Sequence, residues 1–365
     1  MKKKVLKYTA IGVGAVLALV VLFVAGYIIY MQANYYRIAD NTALTVTQNQ
    51  TQTLQQGQAY TALTYNIGFG AYNPDFSFFM DSGTMLDGTE VTGVNSRAQS
   101  AQIAQGNTDG ALAAIQAQNA DFCLLQEVDE KATRSFNINQ VQQISAAMQG
   151  YGSVFANNFH ASYMLYPFHE PHGSVQAGLL TLSRYSVSEA VRRSYPVDVS
   201  FFTKFFDLDR AFAVLRLPVE NGKELVLINS HMSAYDKGGT VRVRQLKLLN
   251  DVMAEEYEKG NYVIVGGDFN HALAGTVNAF ETQQQVPAWV YVLESTDLAS
   301  GFRVVAGTNA PTCRSTDIPY TKGVNYTTVL DGFIVSDNIT ATAENIDTDF
   351  AYSDHNPALL TFTLQ

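Results

Sequence analysis

The chain predicts an α/β (α+β) sandwich, two packed and mostly antiparallel β-sheets flanked by helices, preceded by one transmembrane helix. Three observations carry that reading. Apolar strand candidates recur about ten times beyond residue 60, segments of helical spacing separate some of them, and the amino-terminal end is an apolar run behind a basic cluster.

Lys2, Lys3, Lys4 and Lys7 precede an uncharged, largely apolar stretch from Thr9 to Tyr30. As a helix, residues 9–30 extend about 33 Å, enough to cross a hydrocarbon core of about 30 Å. A cleaved secretory signal has a shorter apolar segment ending in a small-x-small site, and no clean site of that kind precedes Gln32. The expectation is a single-pass cell-membrane anchor, with residues 1–8 cytoplasmic, residues 9–30 in the bilayer, and the chain from Arg37 onward outside the cytoplasm. Tyr27, Tyr30, Tyr35 and Tyr36 suit the outer interface. Residues 31–59, dominated by Thr, Gln and Asn from Ile38 onward, read as a polar, flexible stalk with little to bury. The folded domain is then 60–365.

With 365 residues, 47% of them hydrophobic and 15% charged, the chain can bury a large core. Residues 1–40 hold five of the 23 basic residues and one of the 33 acidic ones, which leaves 18 against 32, a balance of about −14. Such a domain is not drawn to polyanions from a distance. Cys123 lies inside the apolar run Phe122-Cys123-Leu124-Leu125, so a buried thiol is expected rather than a bridge to Cys313. Neither a zinc spacing nor a Cys-x-x-Cys is present.

Tyr60 to Ile67 and Asp121 to Gln126 read as strands on either side of a helical segment, Asp109 to Gln118. Ile138 to Met148 is the next helix candidate, followed by strands at Ser153 to Ala156 and Ala177 to Leu182. Asn221-Gly222 joins strands at Phe212 to Leu217 and Glu224 to Ile228 in a hairpin whose two turn residues tolerate positive φ. Gly238-Gly239-Thr240 opens a helix to about Glu258, and Tyr262 to Val265 follows as a strand. Strands at Thr328 to Val335, Ile339 to Glu344 and Ala358 to Leu364 complete the pattern.

Polar residues cluster where these strands end. Asn66 and Glu127 each close an apolar strand, and amide and carboxylate oxygens suit a hard cation. Asp268 and Asn270 alternate across Phe269, so an extended backbone puts both on one side. Asp331 is placed to orient His355, giving a base that works near neutral pH. His231 follows another strand, within Asn229-Ser230-His231-Met232.

Together with Thr64-Tyr65-Asn66-Ile67, Leu125-Gln126-Glu127-Val128, Gly178 to Tyr185, Gly266-Gly267-Asp268-Phe269-Asn270, Leu330-Asp331-Gly332-Phe333 and Ser353-Asp354-His355-Asn356-Pro357, that segment resembles the endonuclease/exonuclease/phosphatase superfamily, whose folds are like deoxyribonuclease I. The seven stretches occur in the family's order and span about residues 60–365. The resemblance implies a four-layer sandwich and a phosphoesterase dependent on Mg²⁺, with Mn²⁺ or Ca²⁺ as alternatives. It implies Asn66, Glu127 and Asp354 at the metal and His231 donating to a phosphate oxygen. Asp268 and Asn270 would position water and developing charge, and Asp331 and His355 would form the acid-base pair. The general base is Asp268 or His355, and Arg184 is a candidate phosphate contact.

Those residue types match the chemistry. Attack on a phosphodiester sets a nucleophile against an anion, so a metal and hydrogen-bond donors must offset charge while a base prepares water. Substrates of such sites include extracellular nucleic acid and lipid headgroups, so nuclease is the first subclass and a phospholipase C or sphingomyelinase-like diesterase the second. A catalytically silent binding module is the alternative of another class. The membrane is a partner through the N-terminal helix, and no protein partner is inferable. The aromatic stretches Phe76 to Met80 and Phe201 to Phe206 suit either packing or an interface.

Overall fold

The computed structural model describes residues 2–234 and 240–365. Helix α1 (Lys2–Ala33) is followed by short strands β1 (Thr42–Ala43) and β2 (Val46–Thr47). Next come β3 (Ala59–Asn66), β4 (Ser82–Thr84), β5 (Glu90–Thr92), α2 (Ala101–Gln118), β6 (Phe122–Ala132), α3 (Gln140–Ala147), β7 (Gly152–Met164), β8 (Gly173–Ser183) and β9 (Glu189–Ser194). The second half holds β10 (Ala211–Pro218), β11 (Glu224–His231), α4 (Thr240–Glu258), β12 (Tyr262–Asp268), β13 (Phe302–Val305), β14 (Cys313–Arg314), β15 (Thr327–Thr328), β16 (Asp331–Ser336), β17 (Ile339–Asn345) and β18 (Ala358–Leu364).

Two seven-stranded sheets pack face to face. One runs β1-β9-β10-β11-β12-β16-β13 and the other β17-β18-β3-β6-β8-β7-β2. Strand alternation explains the layers, because successive side chains leave opposite faces. In β11, Leu225 and Leu227 enter the core between the sheets, while Val226 and Ile228 enter the core beneath α4. In β6, Phe122 and Leu124 face between the sheets, while Cys123 and Leu125 lie with Ile115 of α2 and Ile144 of α3. Both faces of each sheet are thus apolar, and the order of layers is helix, sheet, sheet, helix. Each buried Leu or Val contributes about 1.5–3 kcal/mol. Cys123 and Cys313 are both buried and free, as the apolar setting of Cys123 predicted.

Most strand pairs are antiparallel. The two parallel pairs matter for function: β3 with β6, and β11 with β12. Parallel neighbours need a crossover, here containing α2 and α4, and each pair consequently ends at the same edge of the sandwich. Helix α2 begins at Ser100, whose hydroxyl accepts from Ile103 N at 3.1 Å, and ends at Asn119 in a left-handed conformation. Gly238 and Gly239, expected to open α4, lie outside the described residues.

Three expectations need correction. Residues 31–59 are not a free stalk: β1 pairs with β9 and β2 with β7. Arg37 Nε donates to Asp209 at 2.7 Å, Arg193 Nε donates to Asp40 at 3.0 Å, and Asn49 Nδ2 donates to Val187 O at 2.8 Å. Polar composition gave no burial signal because these contacts are backbone ladders and ion pairs at sheet edges. The Asn221-Gly222 hairpin forms, yet only Gly222 has positive φ, at 80°. Gly222 N donates to Val219 O and Val219 N to Lys223 O, a longer loop than a two-residue turn. Strand β7 is also much longer than Ser153 to Ala156, because its polar outer half pairs with β8 as far as Met164 and Gly173.

Candidate active site

The two parallel pairs and one antiparallel pair converge on a single cluster. The β3–β6 pairing sets Asn66 opposite Gln126, immediately before Glu127. The β11–β12 register places His231 opposite Asp268, and the β12–β16 register places Asp268 opposite Asp331. His355 comes from the segment before β18 and forms an isolated bridge with Cys313.

Local backbone devices aim these groups. Glu127 was expected at a strand end, but β6 continues through it with a register shift between Leu125 and Val128. Glu127 takes φ 54°, so the bulge turns its side chain out of the regular alternation. Asn270 is also left-handed, at φ 50°. Non-glycine residues held there cost about 1–3 kcal/mol and concentrate at functional sites. Gly68, with φ 53°, leaves room that a Cβ would take from Asp354 Oδ1 and Ser353 Oγ, each 3.0 Å from its ideal position.

Asp268 is the hub. Its Oδ2 accepts from Asn66 Nδ2 at 3.1 Å and lies 3.5 Å from His231 Nε2 and 3.7 Å from His355 Nε2. Its Oδ1 accepts from Asn270 N at 2.9 Å, and Asn270 Nδ2 donates to Met232 O at 2.9 Å. Asn66 Nδ2 also reaches Glu127 Oε1 at 3.3 Å. His355 Nδ1 donates to Asp331 Oδ2 at 2.7 Å, which fixes the ring and turns Nε2 toward Asp268.

Burial governs the protonation of this cluster. It pushes the Asp331 carboxyl up to about 6 against the opposing pull of His355. Burial drives His355 toward the neutral form, but the Asp331 charge, aided by Cys313 and Asp268, carries it well above the ordinary range. His231 is held well below it, by burial first and then by Arg210, His355 and Arg134. Burial, reinforced by Glu127 and opposed by His355, lifts Asp354 to about 7.

The profile described as the Endonuclease/Exonuclease/phosphatase family matches residues 63–355. The chain belongs to that family. Among solved structures, an endonuclease/exonuclease/phosphatase from Beutenbergia cavernae aligns at TM-score 0.54 and 15% identity, covering 84% of this chain and 72% of that one. Truncated TDP2 from Caenorhabditis elegans aligns at TM-score 0.52 and 14% identity over 84% and 99% of the two chains. TDP2 from D. rerio complexed with a single-strand DNA product aligns at 0.50 and 14%, over 84% and 99%. These likenesses show the fold. No curated protein matches the sequence.

Endonuclease/exonuclease/phosphatase family members are hydrolases of phosphoester bonds, typically with a divalent metal. The donor chemistry here fits such an ion. Glu127 raises the cost of ionising Asp354, and neither carboxylate has a Lys or Arg at ion-pair distance among the described residues. A second group, Asp268, Asp331 and His355, brings its ligand atoms within 4.8 Å of one another. There the 2.7 Å bond already engages Asp331 Oδ2 and His355 Nδ1, leaving Asp331 Oδ1 without a hydrogen-bond partner.

Arg184 is not part of the cluster. It follows β8 at the end where β6 begins, its backbone N donating to Asp121 O at 3.0 Å. Its guanidinium donates to Asn119 and sits 4.8 Å above the Tyr151 ring, on the opposite edge from Glu127. The same strand that carries the family-like motif places Arg184 at its far end.

The structure adds residues that the sequence did not single out. Thr312 Oγ1 accepts from Leu330 N at 2.9 Å and Asp331 N at 3.0 Å, fixing the start of β16. Ser353 Oγ donates to Asn66 O at 2.8 Å and accepts from His355 N at 3.2 Å, tying two site segments together. Gln126 Nε2 donates to Asn229 Oδ1 at 2.8 Å beneath the cluster. Gln126, Asn229 and Ser353 lie within the family-like stretches and Thr312 outside them, but only their convergence in space gives them these supporting contacts.

Proposed function

We propose that this chain is a divalent-metal-dependent hydrolase of phosphodiester bonds, tethered to the cell membrane with its site outside the cytoplasm. The observation that carries it is the convergence on Asp268 Oδ2 of Asn66, His231 and His355, with His355 held by Asp331 at 2.7 Å. Helix α1, long and apolar enough to cross a membrane, supports the tether, and the four N-terminal lysines support its orientation.

Glu127, Asp354 and the Asn66 amide are the residues that would hold the metal, which when bound offsets phosphate charge and favours ionisation of water. His231, kept neutral by burial, presents Nε2 as a donor to a phosphate oxygen. Asp268 Oδ2 and His355 Nε2 lie 3.7 Å apart, so a water beside the pair and hydrogen-bonded to both gives its proton to one of the two. Asp331 holds the imidazole tautomer and stabilises its charge. Asn270, braced by Met232 O, supports the Asp268 side of that site.

Nuclease is the first subclass to test, supported by the single-strand DNA product in the D. rerio neighbour. The residue 60–365 portion belongs in the assay with its anchor, since residues 34–58 pack on the domain. Full-length protein in detergent, given Mg²⁺ or Mn²⁺ and a panel of DNA, RNA, lipid and generic diesters, should turn over at least one. Folded protein that turns over none of them would sink the reading.

A further inference from the structure

We propose that two aromatic loops seat the domain on the bilayer beside α1, so that the site works on phosphodiesters of lipid headgroups in that membrane. The substrate half of this inference rests on the phosphoesterase reading above; the seating does not.

Strand registers put the loops and the site on one edge. Residues 165–172 join β7 to β8, whose paired ends are Met164 and Gly173. That is the far end of β6, since Ala132 pairs with Val175 beyond the Glu127 bulge. Residues 195–210 join β9 to β10, whose paired ends are Ser194 and Ala211. Phe212 pairs with Ser230, so this loop leaves at the His231 end of β11. At about 4.8 Å per strand, β7 lies roughly 10 Å from β6, and β9 roughly 10 Å from β11.

The anchor fixes the height of both loops. Helix α1 buries only Met31. Tyr27 Oη donates to Tyr163 O at 3.1 Å and accepts from Leu165 N at 3.2 Å, and Tyr30 Oη accepts from Tyr163 N at 3.2 Å. Lys204 Nζ donates to Gln32 Oε1 at 2.9 Å, and the Tyr35 and Phe205 rings meet at 5.6 Å. Tyrosines at the end of an apolar span mark headgroup depth, and these place the start of one loop at that depth and the middle of the other just above it.

The loop tips are large, aromatic and bare. Phe168 is 79% exposed, Phe202 65% and Tyr166 61%, with Phe201 and Phe206 also exposed. Lys204 lies about 5 Å from the Phe201 and Phe205 rings, an arrangement in which the stem joins the apolar surface and the ammonium reaches the headgroups. An aqueous protein leaves such rings uncovered at a cost, whereas an interface takes them in. Their continuity with α1 selects the bilayer as the covering partner.

From the first loop, rings lead to the site: Tyr166 meets Phe79, Phe79 meets His172, and His172 meets Phe69, next to Gly68 and the Asp354 carboxylate. A headgroup at the bilayer surface therefore lies beside the mouth, and a rigid duplex approaching from solution meets the membrane first. The balance of about −14 on the domain also disfavours a polyanion.

The test uses the full chain in vesicles of phosphatidylcholine and sphingomyelin containing brominated lipid. Phe168→Trp and Phe202→Trp should each show at least twofold quenching relative to unbrominated vesicles, and Glu220→Trp, in the hairpin at the opposite edge, should show none beyond the Trp289 background. With Mg²⁺, Phe168→Ser/Phe202→Ser should lose at least fivefold of the rate on vesicle lipid and keep its rate on soluble bis(p-nitrophenyl) phosphate. Absence of quenching overturns the seating. Turnover of a DNA oligonucleotide or the soluble diester with vesicle lipid untouched overturns the lipid substrate. Loss of turnover on every substrate overturns the phosphoesterase reading itself, and quenching distinguishes that failure from failure of the seating.

Discussion

Gln126 and Asn229 hydrogen-bond at 2.8 Å across the core, joining the two sheets directly beneath the candidate site. Gln126 Nε2 also donates to Leu124 O at 2.9 Å, and Asn229 Nδ2 donates to Leu125 O at 3.2 Å and Thr181 Oγ1 at 3.1 Å. Both side chains are fully buried. Asn229→Leu removes the cross-sheet bond to Gln126 together with the donors to Leu125 O and Thr181 Oγ1, which costs about 1–3 kcal/mol. Urea unfolding should show that loss. A variant as stable as the parent would mean that the bridge carries no net stability.

Asp331 holds the His355 imidazole through a 2.7 Å hydrogen bond, and under the proposed function it acts through that ring. Asp331→Asn should therefore lower kcat by about 10²-fold or more with little change in KM, and His355→Ala should lower it similarly. The double variant should be scarcely worse than either, because the two residues form one unit. Multiplicative losses in steady-state kinetics would show that they act separately.

Removal of divalent metal by a chelator should abolish turnover, and Mg²⁺ should restore it. Glu127→Gln and Asp354→Asn should each raise the dissociation constant for Mn²⁺ by about 10-fold or more in calorimetric titration. The same loss from Asp331→Asn, with Glu127→Gln unaffected, would move the ion to the Asp268, Asp331 and His355 group.

His172 supplies a pH test outside the cluster. Its Nδ1 donates to Ser96 O at 2.5 Å, and burial, with smaller help from Arg134, holds it down to about 3. A histidine depressed in the folded state gives stability that is complete above its unfolded value of about 6.5 and lost as pH falls toward 3. Between pH 6.5 and 5 that loss is about 2 kcal/mol. His172→Gln should flatten the acid side of the stability profile in urea titrations. An unchanged slope would assign the loss to other groups.

Much of the site was legible because its residues sit in strand-end motifs that sequence periodicity locates. Asp268 and Asn270 read from alternation across Phe269, whereas Asp331 and His355 stood out through the family-like stretches in which they lie. Glu127 was visible as a residue, but its bulge was not, since a register shift depends on what β8 presents opposite. Arg184 illustrates the converse: a motif fixes the strand, and only the sheet decides which edge each end reaches. Phe205 is buried while Phe201, Phe202 and Phe206 are exposed, a division that local composition does not encode. The pairing of β1 and β2 was illegible because main-chain groups make those contacts, and every sequence has them.

The stitching of residues 34–58 onto the sheets removes slack from the tether. A free coil of that length would let the domain wander about 30 Å from its exit point. Laid down instead, it would hold the candidate site of the proposed membrane-tethered domain at one height and on one face. Under the proposed lipid reading, substrate reaches the site by lateral diffusion, and turnover follows molecules per area of membrane rather than per volume of medium.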